Sequence, residues 1–182
     1  PVIGAINGAA VGVGSTMLLP MDIRIASEHA KFGFVFAKRG IVPEACSSWF
    51  LPRIVGISKA LEWSYGGNLI PSKEALKYKL ISEITSNEQL LVRAKKLALE
   101  LTQQSSATSI ALTRQMMWKM LGASHPMEAH KIDSRGVYHL GQSEDAREGV
   151  RSFLEKRPAE FIDNVSSNLP PFFPWWEKPE FK

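Results

Sequence analysis

Residues 1–50 read PVIGAINGAAVGVGSTMLLPMDIRIASEHAKFGFVFAKRGIVPEACSSWF, and the way this stretch is parsed decides the fold. Pro1 to Ile6 is a short apolar strand, Asn7-Gly8 punctuates it, and Gly12-Val13-Gly14 opens a helix running toward Leu19. A strand, a glycine turn and a helix start together favour negative charge, because the first helical amides lack internal partners and the dipole points its positive end at them. The residues that follow restrict the kind of anion. A phosphate loop requires Lys and then Ser or Thr after its last glycine, but Gly14 is followed by Ser15 and Thr16. The dinucleotide fingerprint also fails, since Met17 stands where its third glycine belongs. An oxyanion-binding turn and a purely structural turn both remain open on the glycines alone.

Further along, the pattern alternates short strands with helices. Strands are predicted at Asp22 to Ala26, Lys31 to Phe34 and Leu80 to Ile84. Helices are predicted at Glu44 to Ile54 after Pro43, at Ser58 to Tyr65 before Gly66-Gly67, and from a Ser72 cap through Lys77. Asn87 to Gln103, Ser106 to Met120 and a last helix from Ser143 to Lys156 carry helical spacing. The segment NLPPFFPWWEKPEFK has too many prolines for a regular helix, and its aromatics are expected to pack on this subunit or a neighbour.

Composition excludes several function classes. The 182 residues are 45% hydrophobic, enough for one sizeable core, and no apolar run is long enough to span a membrane. A net charge of +4 is mild, and the lysines and arginines are spread along the helices, so nucleic acid is not an expected partner. One cysteine, Cys46, rules out an internal disulfide framework and suits a reducing, intracellular compartment. His125, His130 and His139 do not share a helical face at metal-ligand spacing and His29 stands alone, so no metal is expected. Ser47 and Ser48 lack the context of a nucleophile elbow and read as capping or packing residues.

Three segments, NGAAVGVGSTMLLPMDIRIAS, FGFVFAKRGIVPEACSSWFLPRIVG and SKALEWSYGGNLIPSKEALKYKLISEI, resemble the central part of the crotonase superfamily, the enoyl-CoA hydratases and isomerases. The similarity runs to about Arg157. The resemblance implies an α/β crotonase-like spiral of short strands and helices acting on an acyl-CoA thioester, with no other cofactor. It assigns the oxyanion-hole amide to Val13, between the loop positions Gly12 and Gly14; the donor is main chain, so a valine side chain does not remove it. Hydratases carry a glutamate where this chain has Thr16 and a second where it has Phe36, and neither residue transfers a proton. Pro43-Glu44-Ala45-Cys46-Ser47-Ser48 is instead similar to the Pro-Glu-Gly-Cys-Ser-Ser segment of the peroxisomal-type 3,2-enoyl-CoA isomerases, whose glutamate moves the proton. Glu44 is therefore the expected catalytic residue, its alternative role being to favour a helix start, and Thr16, Phe36 and Trp49 are expected around the acyl group.

The same resemblance divides the chain into the C-terminal portion of a spiral core (1–105), a helical oligomerisation region (106–157) and a Pro/aromatic-rich tail (158–182), with Ser106 to Phe153 contributing to a homotrimer or a dimer of trimers. Because the chain opens inside a strand, the N-terminal part of the fold, with a second oxyanion donor, is expected to be absent and the chain alone nearly inactive. The expected reaction is movement of a C3 double bond to C2. Hydration or other enolate chemistry, and a non-catalytic acyl-CoA-binding or scaffolding module, are the alternatives; cytoplasm, peroxisome and mitochondrion are not distinguished.

Overall fold

The computed structural model describes residues 1–177 and 179–181, which divide into two compact units, Pro1–Ala98 and Leu99–Lys182. The first holds two three-stranded sheets. Strands β1 (Ile3–Ile6), β2 (Ala9–Val11), β3 (Ile23–Ser27), β4 (Lys31–Gly33), β5 (Ile70–Pro71) and β6 (Glu83–Thr85) are ordered β1-β3-β6 in one and β2-β4-β5 in the other. All pairings are parallel except β4 with β5. A break at Asn7-Gly8 thus sends one apolar run into two different sheets.

Helices α1 (Val13–Thr16), α2 (Ser47–Val55), α3 (Ile57–Gly66), α4 (Ser72–Lys77) and α5 (Asn87–Thr102) complete this part of the chain. Phe32, Phe34, Leu19, Leu80 and Ile81 are almost fully enclosed between strands and helices. Each such side chain contributes about 1.5–3 kcal/mol relative to exposure. Trp63 of α3 stacks on Phe34 at 6.2 Å and donates its indole N–H to Glu74 at 2.9 Å, which satisfies a polar atom that burial would otherwise penalise. Arg24 of β3 also lies largely inside. It donates to the carbonyls of Leu80 (2.7 Å) and Met21 (2.6 Å), tying the turn after α1 to the sheet; burial pulls its pKa down against the opposing charge of Asp22.

Several predicted elements differ from those observed. The helix expected from the glycine turn to Leu19 stops at Thr16 and continues as turns. The strand expected at Leu80 to Ile84 starts later, because Leu80 and Ile81 are core residues of a turn held by amide donation to Ala75. Ser72 does not cap α4: Pro71 holds that position, and the buried Ser72 hydroxyl donates to the Glu28 carbonyl at 2.9 Å. The two-residue strand β5 was not anticipated, being too short to show alternation.

The second unit contains α6 (Ala107–Met120), α7 (Pro126–Leu140) and α8 (Glu144–Glu155). Ser106 and Ser143 cap α6 and α8 by accepting from the amides of Ser109 and Ala146. Helix α7 was not expected: its cap is His125, whose Nδ1 accepts from Met127 N–H at 3.0 Å, an uncommon solution that the sequence signals do not register. Asp145 in the first turn of α8 is 3% exposed and accepts from the amides of Ile162 (2.7 Å) and Asp163 (3.0 Å). Burial pushes its pKa up, but the Asp163 amide, the Ser106 hydroxyl and the Ile162 amide outweigh it and leave the carboxyl below its ordinary value. The tail packs on these helices through Phe172 against His139 and under Arg135, and through Trp176 under Lys119. Lys178 and Lys182 of the expected tail lie outside the described residues.

A bidentate pair closes α8. Arg157 donates Nη1–H to Glu148 Oε1 at 2.5 Å and Nη2–H to Oε2 at 2.9 Å. These bonds, with the Glu160 amide, lower the Glu148 pKa from 4.5 to about 2. A depressed folded-state pKa stabilises above the unfolded value and is lost as the carboxylate protonates in the folded state. Stability should therefore fall as pH drops from 4.5 toward about 2, and Glu148→Gln should flatten that limb in chemical-denaturation midpoints measured across the acid range.

Candidate active site

Gly12 builds the site's first wall. Its φ of 57° and ψ of −123° lie where side chains are strained, so a glycine turns the chain from β2 into α1. Its amide donates to Gly33 O at 2.9 Å, and its carbonyl accepts from the amides of Ser15 (2.9 Å) and Thr16 (3.1 Å). Ser15 is buried, donating its hydroxyl to Ala10 O at 2.5 Å and accepting from Gly33 N–H at 3.0 Å. A single hydroxyl thus joins β2 to β4 beneath the loop. Val13 and Gly14 come before the first intrahelical donors, and Val13 is exposed at 65%, so their amides stand at the open end of the turn.

Glu44 arrives from 28 residues further along. Thr16, fully buried, donates its hydroxyl to Glu44 Oε1 at 2.5 Å, which brings the carboxylate to the glycine loop. The predicted helix start at Glu44 is corrected: α2 begins at Ser47, and Glu44 lies before it, outside any helix or strand. Ala45 (φ 49°) and Cys46 (φ 57°) are both left-handed, and the Glu44 carbonyl accepts from Ser47 N–H (2.9 Å) and Ser47 Oγ–H (2.6 Å). Helix-start stabilisation therefore does not explain Glu44. Glu44 and Cys46 are both exposed residues, although the bond from Thr16 to the Glu44 carboxylate is part-buried.

An apolar cleft of about 360 Å³ opens beside this turn. Phe34, Phe36, Val42, Leu51 and Leu61 are among its lining residues, and Pro43 and Ser47, on either side of Glu44, sit at its wall. Of the three residues expected around an acyl group, Phe36 lines the cleft. Thr16 lies beneath the loop, bonded to Glu44. Trp49 faces elsewhere, edge-on to Phe50 at 4.8 Å and under the Arg53 guanidinium at 3.9 Å. Ile41, Val42 and Tyr65 were missed because loop residues and a helix end carry no periodicity to mark them. No three metal-ligating side chains cluster among the described residues, and no helix of them is long and apolar enough to cross a membrane.

Residues 1–164 match the family model described as enoyl-CoA hydratase/isomerase. The chain belongs to that family. Among curated relatives it is 44% identical over 166 residues to an enoyl-CoA hydratase of Alternaria alternata, covering 91% of this chain and 55% of the relative. It is also 35% identical over 167 residues to the 1,2-epoxyphenylacetyl-CoA isomerase of Escherichia coli, covering 88% and 61%. A probable enoyl-CoA hydratase/isomerase from Mycobacterium abscessus superposes with a TM-score of 0.84 at 31% identity, over 90% of this chain and 64% of that structure.

The chain spans 55% of the length of the Alternaria relative. The expected absence of the N-terminal part of the fold, with the C-terminal helices as an oligomerisation region, is corrected. The crotonase-like β/α spiral is present in residues 1–155, in a chain that spans 55% of the length of the Alternaria relatives and 62% of the Rhodobacter one.

The turn after Glu44 makes a stability prediction. A left-handed alanine costs about 1–2 kcal/mol, partly offset by the ~0.4–1 kcal/mol of unfolded-state entropy that glycine adds. Ala45→Gly should raise stability by about 0.5–1 kcal/mol in denaturant titrations, and Ala45→Val should lower it.

Proposed function

We propose that the whole protein catalyses thioester-enolate chemistry on an acyl-CoA, and that the reaction is movement of a C3 double bond to C2. The observation that carries this reading is Glu44 held at the Gly12-Val13-Gly14 turn beside an apolar cleft, with Thr16 and Phe36 at the two positions where hydratases carry glutamates. The acyl chain lies along Phe36 and Val42, and the thioester oxygen meets the Val13 amide. Glu44 takes a proton from C2, and the electron pair passes into the carbonyl, whose oxygen becomes the enolate oxygen facing that amide. The same carboxyl then returns the proton to C4 as the carbonyl reforms and the double bond settles at C2. One carboxylate on one face suffices, and no water enters the balance.

Hydration is the second reading, favoured because most of the similar proteins are named enoyl-CoA hydratases. It needs a group to orient water as well as one to deliver a proton, and Thr16 and Phe36 transfer none. A trimer or a dimer of trimers is the assembly proposed for the whole protein. Low turnover is expected of the 182-residue chain alone, which spans little more than half the length of its relatives.

Glu44→Gln tests the assignment, since it keeps size but takes up no proton. Isomerisation of a 3-enoyl-CoA by the complete protein should fall ~10²–10⁴-fold while acyl-CoA still binds. Normal turnover by the variant would remove Glu44 from the mechanism, and formation of 3-hydroxyacyl-CoA from a 2-enoyl-CoA by the wild type would favour hydration.

A further inference from the structure

We infer that Thr16 is the positioning residue for Glu44, its hydroxyl fixing the proton-transfer carboxylate against the residue that supplies the oxyanion amide; this rests on the enolate reading above. Thr16 Oγ1 lies 2.5 Å from Glu44 Oε1 and 3.3 Å from the Val13 carbonyl. A hydroxyl has one proton. The carboxylate takes it, being nearer and charged, and the Val13 carbonyl already accepts from Met17 N–H at 3.0 Å.

The arrangement answers a problem that Glu44 poses. An exposed glutamate samples many side-chain rotamers, whereas proton transfer between C2 and C4 needs its carboxylate within hydrogen-bond reach of both carbons. The left-handed turn at Ala45 and Cys46 fixes the Glu44 main chain and leaves the head group free. Thr16 supplies the missing restraint from a rigid base, being 0% exposed and in the short helix that Ser15 anchors to β2 and β4. Its bond engages Oε1, which assigns Oε2 to the substrate proton. Threonine also does not compete for that proton, since its hydroxyl does not titrate in the working range, whereas a second carboxylate at this position would.

Because Thr16 meets Glu44 and not the substrate, its loss should appear in kcat and not in KM. In the complete protein, Thr16→Val should lower kcat for a 3-enoyl-CoA by ~10–100-fold with little change in KM, the worth of one hydrogen bond to a charged group. Thr16→Ser should restore most of the rate, since it returns the hydroxyl and removes only a methyl group. Thr16→Ala, which makes no steric demand, gives the same comparison if the valine variant folds poorly, with rates normalised to folded protein. In a Glu44→Gln background the Thr16 substitution should cost almost nothing more, since two residues acting as one unit are not additive. Wild-type kcat in Thr16→Val, an equal loss in Thr16→Ser, or a full further loss on top of Glu44→Gln would each overturn the assignment. Failure of the reading on which this rests is separately visible: the wild type would then not isomerise a 3-enoyl-CoA, or Glu44→Gln would turn over normally whatever Thr16 does.

Discussion

The buried Ser15 hydroxyl, bonded to Ala10 O on one strand and to Gly33 N–H on another, sets the geometry on which the site depends. An unpaired hydroxyl in that position would cost about 1–3 kcal/mol, so the two bonds tie α1 to the β2–β4 ladder beneath the turn. Gly12 can then turn at positive φ with its amide on Gly33 and its carbonyl receiving the first donors of α1. Val13, the first residue after that turn, faces outward, while Thr16 at the end of the short helix is buried.

Reactivity at such a loop depends on which carboxylate reaches it. Phe36 is buried at the wall of the cleft, and Glu44 comes to Thr16 over a left-handed turn. The chain accepts backbone strain at Ala45 and Cys46, in a segment whose exposed apolar residues gain little from packing. That strain lies next to the carboxylate for which a proton-transfer role is proposed.

In the second unit, hydrogen-bonded carboxylates accompany buried apolar side chains such as Leu112 and Ile132. Asp145 gathers the amides of Ile162 and Asp163, and Glu148 grips Arg157 in a bidentate pair. Asp145 lies in the first turn of α8, where the helix dipole also favours it. The aromatic tail then covers α6 and α7 with ring and cation contacts, in keeping with the expectation that its prolines preclude a helix but its aromatics seek a surface.

The sequence by itself determined the elements whose signals are local: the apolar strand before Asn7, the glycine turn, the Gly67 stop of α3, the serine caps of α6 and α8, and the family that the three motifs resemble. Motif reading also brought Val13 and Glu44 forward as a pair. Tertiary structure decided the rest. Whether Glu44 opened a helix or preceded one depended on the φ angles of two residues that are not glycine, which no propensity anticipates. The partner of Thr16 lay 28 residues away, a distance at which side-chain spacing carries no information. The cleft likewise takes its walls from a strand end, a loop and two helices, and only their packing makes those apolar side chains neighbours. Local chemistry fixes where the chain can turn, whereas the meeting of remote side chains is fixed by which surfaces bury each other.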